Sequence, residues 1–149
     1  MEKSTYIYET YIRTTPQKLW RALITPEFQE KYFASAHFET DWKPGSPWKL
    51  MFPDGTVADA GTVVETKPSK RLVLRWRHEM SPAIKAEGYG RCVMEIKPAQ
   101  GAVKLTITHS INKPKSKLIK AVSGGWPFIL SNLKSMLETG KVVLKGWPD

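Results

Sequence analysis

Cysteine is nearly absent from this chain: its 149 residues include only Cys92. One thiol cannot form an internal disulfide or supply a zinc site built from several cysteines, so nothing indicates an oxidising compartment. The N-terminal residues also lack the apolar segment of a signal peptide. We therefore expect a cytoplasmic protein.

Long apolar runs are absent as well. No stretch approaches the roughly 18 uninterrupted apolar residues of a membrane-spanning helix, so no membrane span is predicted. With 41% hydrophobic and 25% charged residues, the composition is close to the globular average. The length suits one core, and no linker or repeat divides the chain. We therefore predict a single domain over residues 1–149.

Residues that typically form catalytic sites are also scarce. The three histidines, His37, His78 and His109, do not have the close helical spacing of a hydrolytic zinc site. The glycine pairs lack the other features of a phosphate-binding loop. No acid–base pair converges in the sequence. We therefore assign no catalytic residue, no cofactor and no metal, and we expect a binding protein and not an enzyme.

Positive charge is in excess, with a net charge of +9. Such a charge favours encounters with polyanions or with an acidic protein. The basic residues are spread along the chain, and their one modest concentration is at Lys113, Lys115, Lys117 and Lys120. A run of this kind usually forms a solvated face. We therefore do not expect nucleic-acid binding, and a docking surface for an acidic protein partner stays open.

The first third of the chain reads as a strand followed by two short helices. Residues 6–13 alternate apolar and polar positions and are rich in aromatic and β-branched types, as in a strand. A threonine followed by a proline occurs at 15–16 and again at 25–26, and in each pair the threonine can cap a helix that begins at the proline. The second helix is predicted to reach about Tyr32.

Strand signals dominate residues 38–111, where turn residues separate short apolar runs. Because strand side chains alternate with period two, two sets of residues each share one face. The first set is Leu72, Leu74 and Trp76, and the second is Val103, Leu105, Ile107 and His109. The sequence therefore predicts a meander of antiparallel strands with one apolar face.

A long amphipathic helix is predicted near the C-terminus. Apolar residues recur there at spacings of three and four, namely at Trp126, Ile129, Leu130, Leu133, Met136 and Leu137. The pattern extends from about Ser116 to a stop at Gly140. Pro127 should interrupt it, because its ring lacks a donor and presses on the carbonyl of Ser123. We expect a kink or two separate helices there, and such a joint could act as a hinge.

This order of elements, with strands packed against one terminal helix, defines an α+β fold. Six segments, at 15–23, 42–48, 61–65, 71–76, 105–109 and 124–126, resemble the START-like (SRPBCC) superfamily. Within it they are similar to the branch named after the activator of heat-shock protein 90 ATPase homologue, over about residues 6–138. The resemblance implies a helix-grip fold, in which a curved antiparallel sheet of about six or seven strands wraps on a long C-terminal helix and two short helices follow the first strand.

The resemblance also implies a cavity between the sheet and the helix. Nine residues are predicted to face it, namely Leu74, Trp76, His78, Ile107, His109, Trp126, Ile129, Leu130 and Leu133. The two tryptophans would form flat apolar walls, although the same residues could equally form a solid core. The two histidines could bind a polar group of a ligand, or they could be strand-end residues bonded to backbone or solvent.

Three functions follow from these observations. The first is binding of a small, mostly apolar ligand, such as a lipid, in the cavity. The second, implied by the resemblance, is activation of a chaperone ATPase of the heat-shock protein 90 type, with the basic surface meeting an acidic partner. The third is a cyclase or aromatase acting in the pocket. A monomer or a dimer is compatible with each function.

Overall fold

The computed structural model describes residues 3–147. Within this range the elements in chain order are β1 (Ser4–Ile12), α1 (Pro16–Ile24), α2 (Pro26–Tyr32), β2 (His37–Glu39), β3 (Pro47–Met51), β4 (Val57–Lys67), β5 (Arg71–His78), α3 (Pro82–Lys85), β6 (Gly90–Ala99), β7 (Ala102–Ile111) and α4 (Lys117–Thr139). The two short helices after the first strand and the long terminal helix confirm the prediction.

All seven of these strands form one antiparallel sheet in the order β1-β7-β6-β5-β4-β3-β2. Strands β2 to β7 form the predicted meander, and β1 returns to the far edge beside β7, where Ser4 lies opposite Ile111. Bulges in the pairing of β3 with β4 and of β4 with β5 bend the sheet. The curved sheet and the helix across it confirm the helix-grip, α+β prediction.

The core fills the space between the concave face of the sheet and α4. The two sets of strand residues that were predicted to share an apolar face are buried there. They are Leu72, Leu74 and Trp76 on β5 and Val103, Leu105, Ile107 and His109 on β7. From the helix, Leu118, Trp126, Leu130 and others belong to the same cluster. Because each large apolar side chain contributes about 1.5–3 kcal/mol when fully buried, this shared interface holds the helix on the sheet.

Helix α4 runs without a break through Pro127, so the predicted division into two helices is wrong. Proline removes one hydrogen bond, whereas α4 is buried on both sides of Pro127, at Leu118 and Ile119 and again from Trp126 to Met136, and this packing outweighs the local cost. The predicted ends are confirmed: the Ser116 side chain accepts from the Ile119 amide, and Gly140 adopts the left-handed conformation with a φ of 83°. No helix within residues 3–147 is long and apolar enough to cross a membrane.

The two threonine caps differ. The Thr15 side chain accepts a hydrogen bond from the Lys18 amide over 3.2 Å, as predicted. Thr25 makes no side-chain cap, so that expectation is wrong. Thr25 ends α1 and begins α2 at the same time, and its main-chain carbonyl accepts from the amides of Phe28 and Gln29. The backbone at Thr25 therefore caps α2, and two side chains of α2 complete the joint, since Gln29 Nε2 donates to the Leu23 carbonyl (2.6 Å) and the Tyr32 hydroxyl to the Ala22 carbonyl (2.8 Å).

Helix α3, which lies between β5 and β6, was not predicted and is only four residues long. Glu87 follows it, and the Glu87 carboxylate accepts hydrogen bonds from the amides of Lys117 (2.8 Å) and Leu118 (3.2 Å) and from the Ser116 hydroxyl (2.7 Å). A carboxylate at this position satisfies the free amides of a helix N-terminus. This connection therefore fixes the start of α4 over the sheet.

Candidate ligand-binding cavity

A cavity of about 240 Å³ opens between the N-terminal half of α4 and strands β3, β4 and β5. Its walls also include Phe33 after α2, Met80 before α3 and Trp147 in the C-terminal tail. Among the described lining residues only Asp59 and His78 are ionisable. The cavity thus combines apolar walls with a single polar point, as small-molecule sites do.

The helical wall of the cavity is one face of α4. It consists of Leu118, Ala121, Val122, Gly125, Trp126 and Ile129. These residues recur at spacings of three and four and therefore lie above one another on the helix. Gly125 is in the middle of this face, and a Cβ atom built there would meet nothing within 4 Å. The missing side chain adds to the open volume.

Aromatic rings from several elements, including Phe33, Trp76 and Trp126, form part of the cavity wall. The ring of Trp76 on β5 lies 5.9 Å from that of Trp126 and 4.7 Å from that of Trp48, measured between centroids. Phe33 packs edge-on against Trp126 at 5.9 Å. Tilted and edge-to-face arrangements of this kind are favourable for aromatic pairs. The rings that line the cavity are therefore held by neighbours from other elements.

Asp59 and His78 form the polar point of the cavity. They are opposite each other in the pairing of β4 with β5, and Asp59 Oδ1 lies 3.1 Å from His78 Nδ1. The same oxygen accepts a hydrogen bond from Trp76 Nε1 over 3.0 Å. No acid–base pair converged in the sequence, and the structure brings one together here. Because a carboxylate accepts only, the imidazole that bonds to it has a proton on Nδ1, and in its neutral form Nε2 is left as an acceptor.

His109 lies in the interior beyond the cavity wall. It is fully buried, and its Nδ1 accepts a hydrogen bond from Trp126 Nε1 over 3.1 Å. Its Nε2 has no hydrogen-bond partner among residues 3–147. Burial lowers the pKa of His109 to about 3. His109 is therefore neutral, and its bond to Trp126 places the proton on Nε2.

The nine predicted site residues divide into three groups. Trp76, His78, Trp126 and Ile129 line the cavity. Leu74, Ile107 and Leu130 line a second space of about 10 Å³, which has room for no more than one water molecule. His109 and Leu133 are fully buried and line neither space. The interface between sheet and helix is thus solid in its middle and open at one end.

The C-terminal tail adds wall residues that the sequence analysis missed. Trp147 lines the cavity and packs edge-on against Phe52 at 5.4 Å. The tail is tied to α4 by buried Asn132, whose Oδ1 accepts from the amides of Val143 (3.0 Å) and Leu144 (2.8 Å). An asparagine within the apolar face of a helix is the signal that could have indicated this contact.

A separate concavity of about 230 Å³ lies on the face of the sheet that points away from α4. Arg75 and Arg91 face each other there across β5 and β6, and the Arg75 guanidinium is 3.8 Å from the centroid of the Tyr89 ring. Within residues 3–147 neither arginine forms an ion pair with a carboxylate. We call this surface, lined also by Ser110, the arginine groove.

A sheet wrapped on one long helix with a cavity between them defines a START-like (SRPBCC) protein. The family described as activator of Hsp90 ATPase homolog 1-like protein matches residues 13–138, and the chain belongs to this family. No protein with a curated description matches the sequence.

Several solved structures share the fold. Protein MLL2253 from Mesorhizobium loti is 23% identical, with a TM-score of 0.77 over 90% of this chain and 96% of that one. The Aha1 dimer from Colwellia psychrerythraea is 18% identical, with a TM-score of 0.72 over 93% and 98%. CalU16 from Micromonospora echinospora is 16% identical, with a TM-score of 0.73 over 91% and 77%. At these identities the likeness establishes the fold alone.

Proposed function

We propose that the protein binds a small, mostly apolar molecule in the cavity between α4 and strands β3 to β5. The observation that carries this proposal is an opening of about 240 Å³ with aromatic and aliphatic walls. A ligand that enters it replaces poorly bonded water and removes its own apolar surface from solvent.

The volume limits the size of the ligand. An engineered apolar cavity of about 150 Å³ takes up benzene, so a cavity of this size suits a compound of one or two rings or a short acyl chain. A two-chain lipid would not fit within it. Leu74, Ile107, Leu130 and Leu133, which were predicted to touch a ligand, support the cavity by packing behind it in this proposal.

Two glycines on α4 provide a matched test. Gly125 lines the cavity, whereas its neighbour Gly124 is exposed, and a Cβ atom meets nothing within 4 Å at either position. Binding of naphthalene and indole would be followed by tryptophan fluorescence and by chemical shifts. Gly125→Leu should weaken binding at least tenfold, and Gly124→Leu should leave it unchanged. Equal binding by both variants, or no binding by the wild type, would contradict the proposal.

A second candidate is stimulation of a chaperone ATPase of the heat-shock protein 90 type. Two observations favour it: membership of the family described as activator of Hsp90 ATPase homolog 1-like protein, and the arginine groove, whose two arginines have no carboxylate partner within residues 3–147 and complement an acidic partner. The test is the ATPase rate of the chaperone from the same cell, measured with the wild type and with the Arg75→Glu, Arg91→Glu double variant. Stimulation should fall in the variant and at higher salt. An unchanged ATPase rate with the wild type at low and moderate salt would exclude this function.

A further inference from the structure

We infer that the cavity selects ligands that carry a hydroxyl group, which donates a hydrogen bond to His78 Nε2. The ligand class is a neutral phenol or alcohol with one or two rings. This inference rests on the proposed function, because it concerns the same cavity. It adds the chemical feature that distinguishes one small apolar molecule from another.

The first step of the argument is the orientation of the imidazole. Asp59 Oδ1 accepts from both Trp76 Nε1 and His78 Nδ1, at 3.0 and 3.1 Å. The indole of Trp76 therefore orients the Asp59 carboxylate, and this carboxylate orients the imidazole of His78. A carboxylate on one ring nitrogen leaves the other as a hydrogen-bond acceptor in a fixed direction. His78 is about four-fifths buried and is one of the residues that line the cavity, and we therefore assign its free nitrogen to the cavity wall.

The second step is the absence of a cation or a hydroxyl group among the described residues of the wall. Among the described lining residues there is no lysine, arginine, serine or threonine. The indole N–H groups of Trp76 and Trp126 are already bonded to Asp59 and His109. An anionic ligand would therefore meet the Asp59 carboxylate without a cation to offset it. A neutral donor meets His78 without this repulsion.

The third step is selectivity. A ligand without a donor would displace water from His78 and leave its acceptor unpaired in an apolar site, which is unfavourable. Sites that offer a hydrogen bond therefore discriminate against analogues that lack the matching group. The cavity walls contribute affinity to all such analogues equally. The difference between them depends on His78.

The experiment compares four ligands of one shape, namely 1-naphthol, naphthalene, 1-methoxynaphthalene and 1-naphthoate. Titration calorimetry would give their dissociation constants for the wild type, His78→Leu and His78→Gln. His37→Leu serves as the control, because His37 lies on β2 outside the cavity lining. The wild type and the control should bind naphthol about three- to tenfold more tightly than methoxynaphthalene, as one hydrogen bond predicts.

The variants separate the possible outcomes. His78→Leu should bind all three neutral compounds with similar affinity, and His78→Gln, which keeps an acceptor oxygen, should retain part of the preference. Equal binding of naphthol and methoxynaphthalene by the wild type would overturn hydroxyl recognition and leave the cavity function in place. Tightest binding of naphthoate would show an imidazolium that recognises anions and would also overturn the inference. If no compound bound, the proposed function would fail, and this inference with it.

Discussion

Trp126 Nε1 donates a hydrogen bond to His109 Nδ1 over 3.1 Å and so joins α4 to β7 inside the core. The rings of both residues also pack against Trp76, at centroid distances of 5.9 and 5.1 Å. Because both partners are buried, water cannot replace either group if the other is removed.

The first prediction concerns this bond. Trp126→Phe should lower the free energy of unfolding by about 2 kcal/mol or more, because it leaves His109 Nδ1 unpaired and removes ring volume. Denaturant unfolding of Trp126→Phe, His109→Phe and the double variant would give a coupling of about 0.5–1.5 kcal/mol. As a control, Trp20→Phe should be additive with His109→Phe, since Trp20 lies on α1. A coupling of zero for the first pair would contradict the prediction.

The second prediction is a pH dependence of stability. His109 has a pKa of about 3 in the folded protein because burial disfavours its charged form, whereas an unfolded histidine titrates near 6.5. Between these values the unfolded chain binds the additional proton. The stabilisation from neutral His109 is therefore complete above about pH 6.5 and is lost as the pH falls toward 3, with a slope of up to about 1.4 kcal/mol per pH unit.

Replacing the histidine isolates this effect. His109→Phe should flatten the dependence of the unfolding free energy on pH between about 3.5 and 6.5, measured by denaturant unfolding in a pH series. Cys92 lies opposite His109 on β6, and burial raises the pKa of its thiol, so Cys92 stays neutral over this range. Parallel curves for the variant and the wild type would show that His109 does not contribute.

The third prediction concerns Pro127 in the unbroken helix. Pro127→Ala should raise the free energy of unfolding by about 2 kcal/mol, because a donor for the helix is restored and the clash with the Ser123 carbonyl is relieved. Gly124→Ala, in open space three residues earlier, should add about 1 kcal/mol through helix propensity alone. A loss of stability in Pro127→Ala would mean that the helix around it depends on the proline ring.

The fourth prediction concerns the tail. Asn132→Ala removes the side chain that bonds the main chain at Val143 and Leu144, and it should cost about 1–3 kcal/mol. Hydrogen exchange of these two amides should become markedly faster. Asn132→Asp keeps an acceptor oxygen for the two amides but places a second oxygen against the Leu144 carbonyl, so the exchange of these amides should be faster than in the wild type and slower than in Asn132→Ala. Exchange at the wild-type rate in Asn132→Ala would exclude the side chain as the tie.

Patterns that depend only on sequence spacing were predicted correctly. Leu72, Leu74 and Trp76 share one face because side chains alternate along a strand. The helix ends at Gly140 because glycine adopts the left-handed conformation without a steric cost. The division of the helix at Pro127 is wrong because the local cost of proline is visible in the sequence, whereas the packing that outweighs this cost comes from the rest of the fold.

The polar point of the cavity shows why the site was only partly predictable. Asp59 and His78 are neighbours through the register of β4 and β5, and that register contains a bulge between Val63 and Glu65. Composition and periodicity do not determine such a register. His109 was considered as a possible exposed strand-end residue, and it is instead buried because β7 continues past it to Ile111.

The pairing of β1 with β7 has a consequence for the order in which the protein can be assembled. The chain is synthesised from its N-terminus, and β1 can pair fully with its neighbour only after about three-quarters of the sequence, up to Ile111, has left the ribosome. A contact of such long separation also forms slowly in the free chain. The first strand made is thus among the last to be paired, and until then the alternating aromatic side chains of Tyr6 and Tyr8 are open to any other unpaired strand edge.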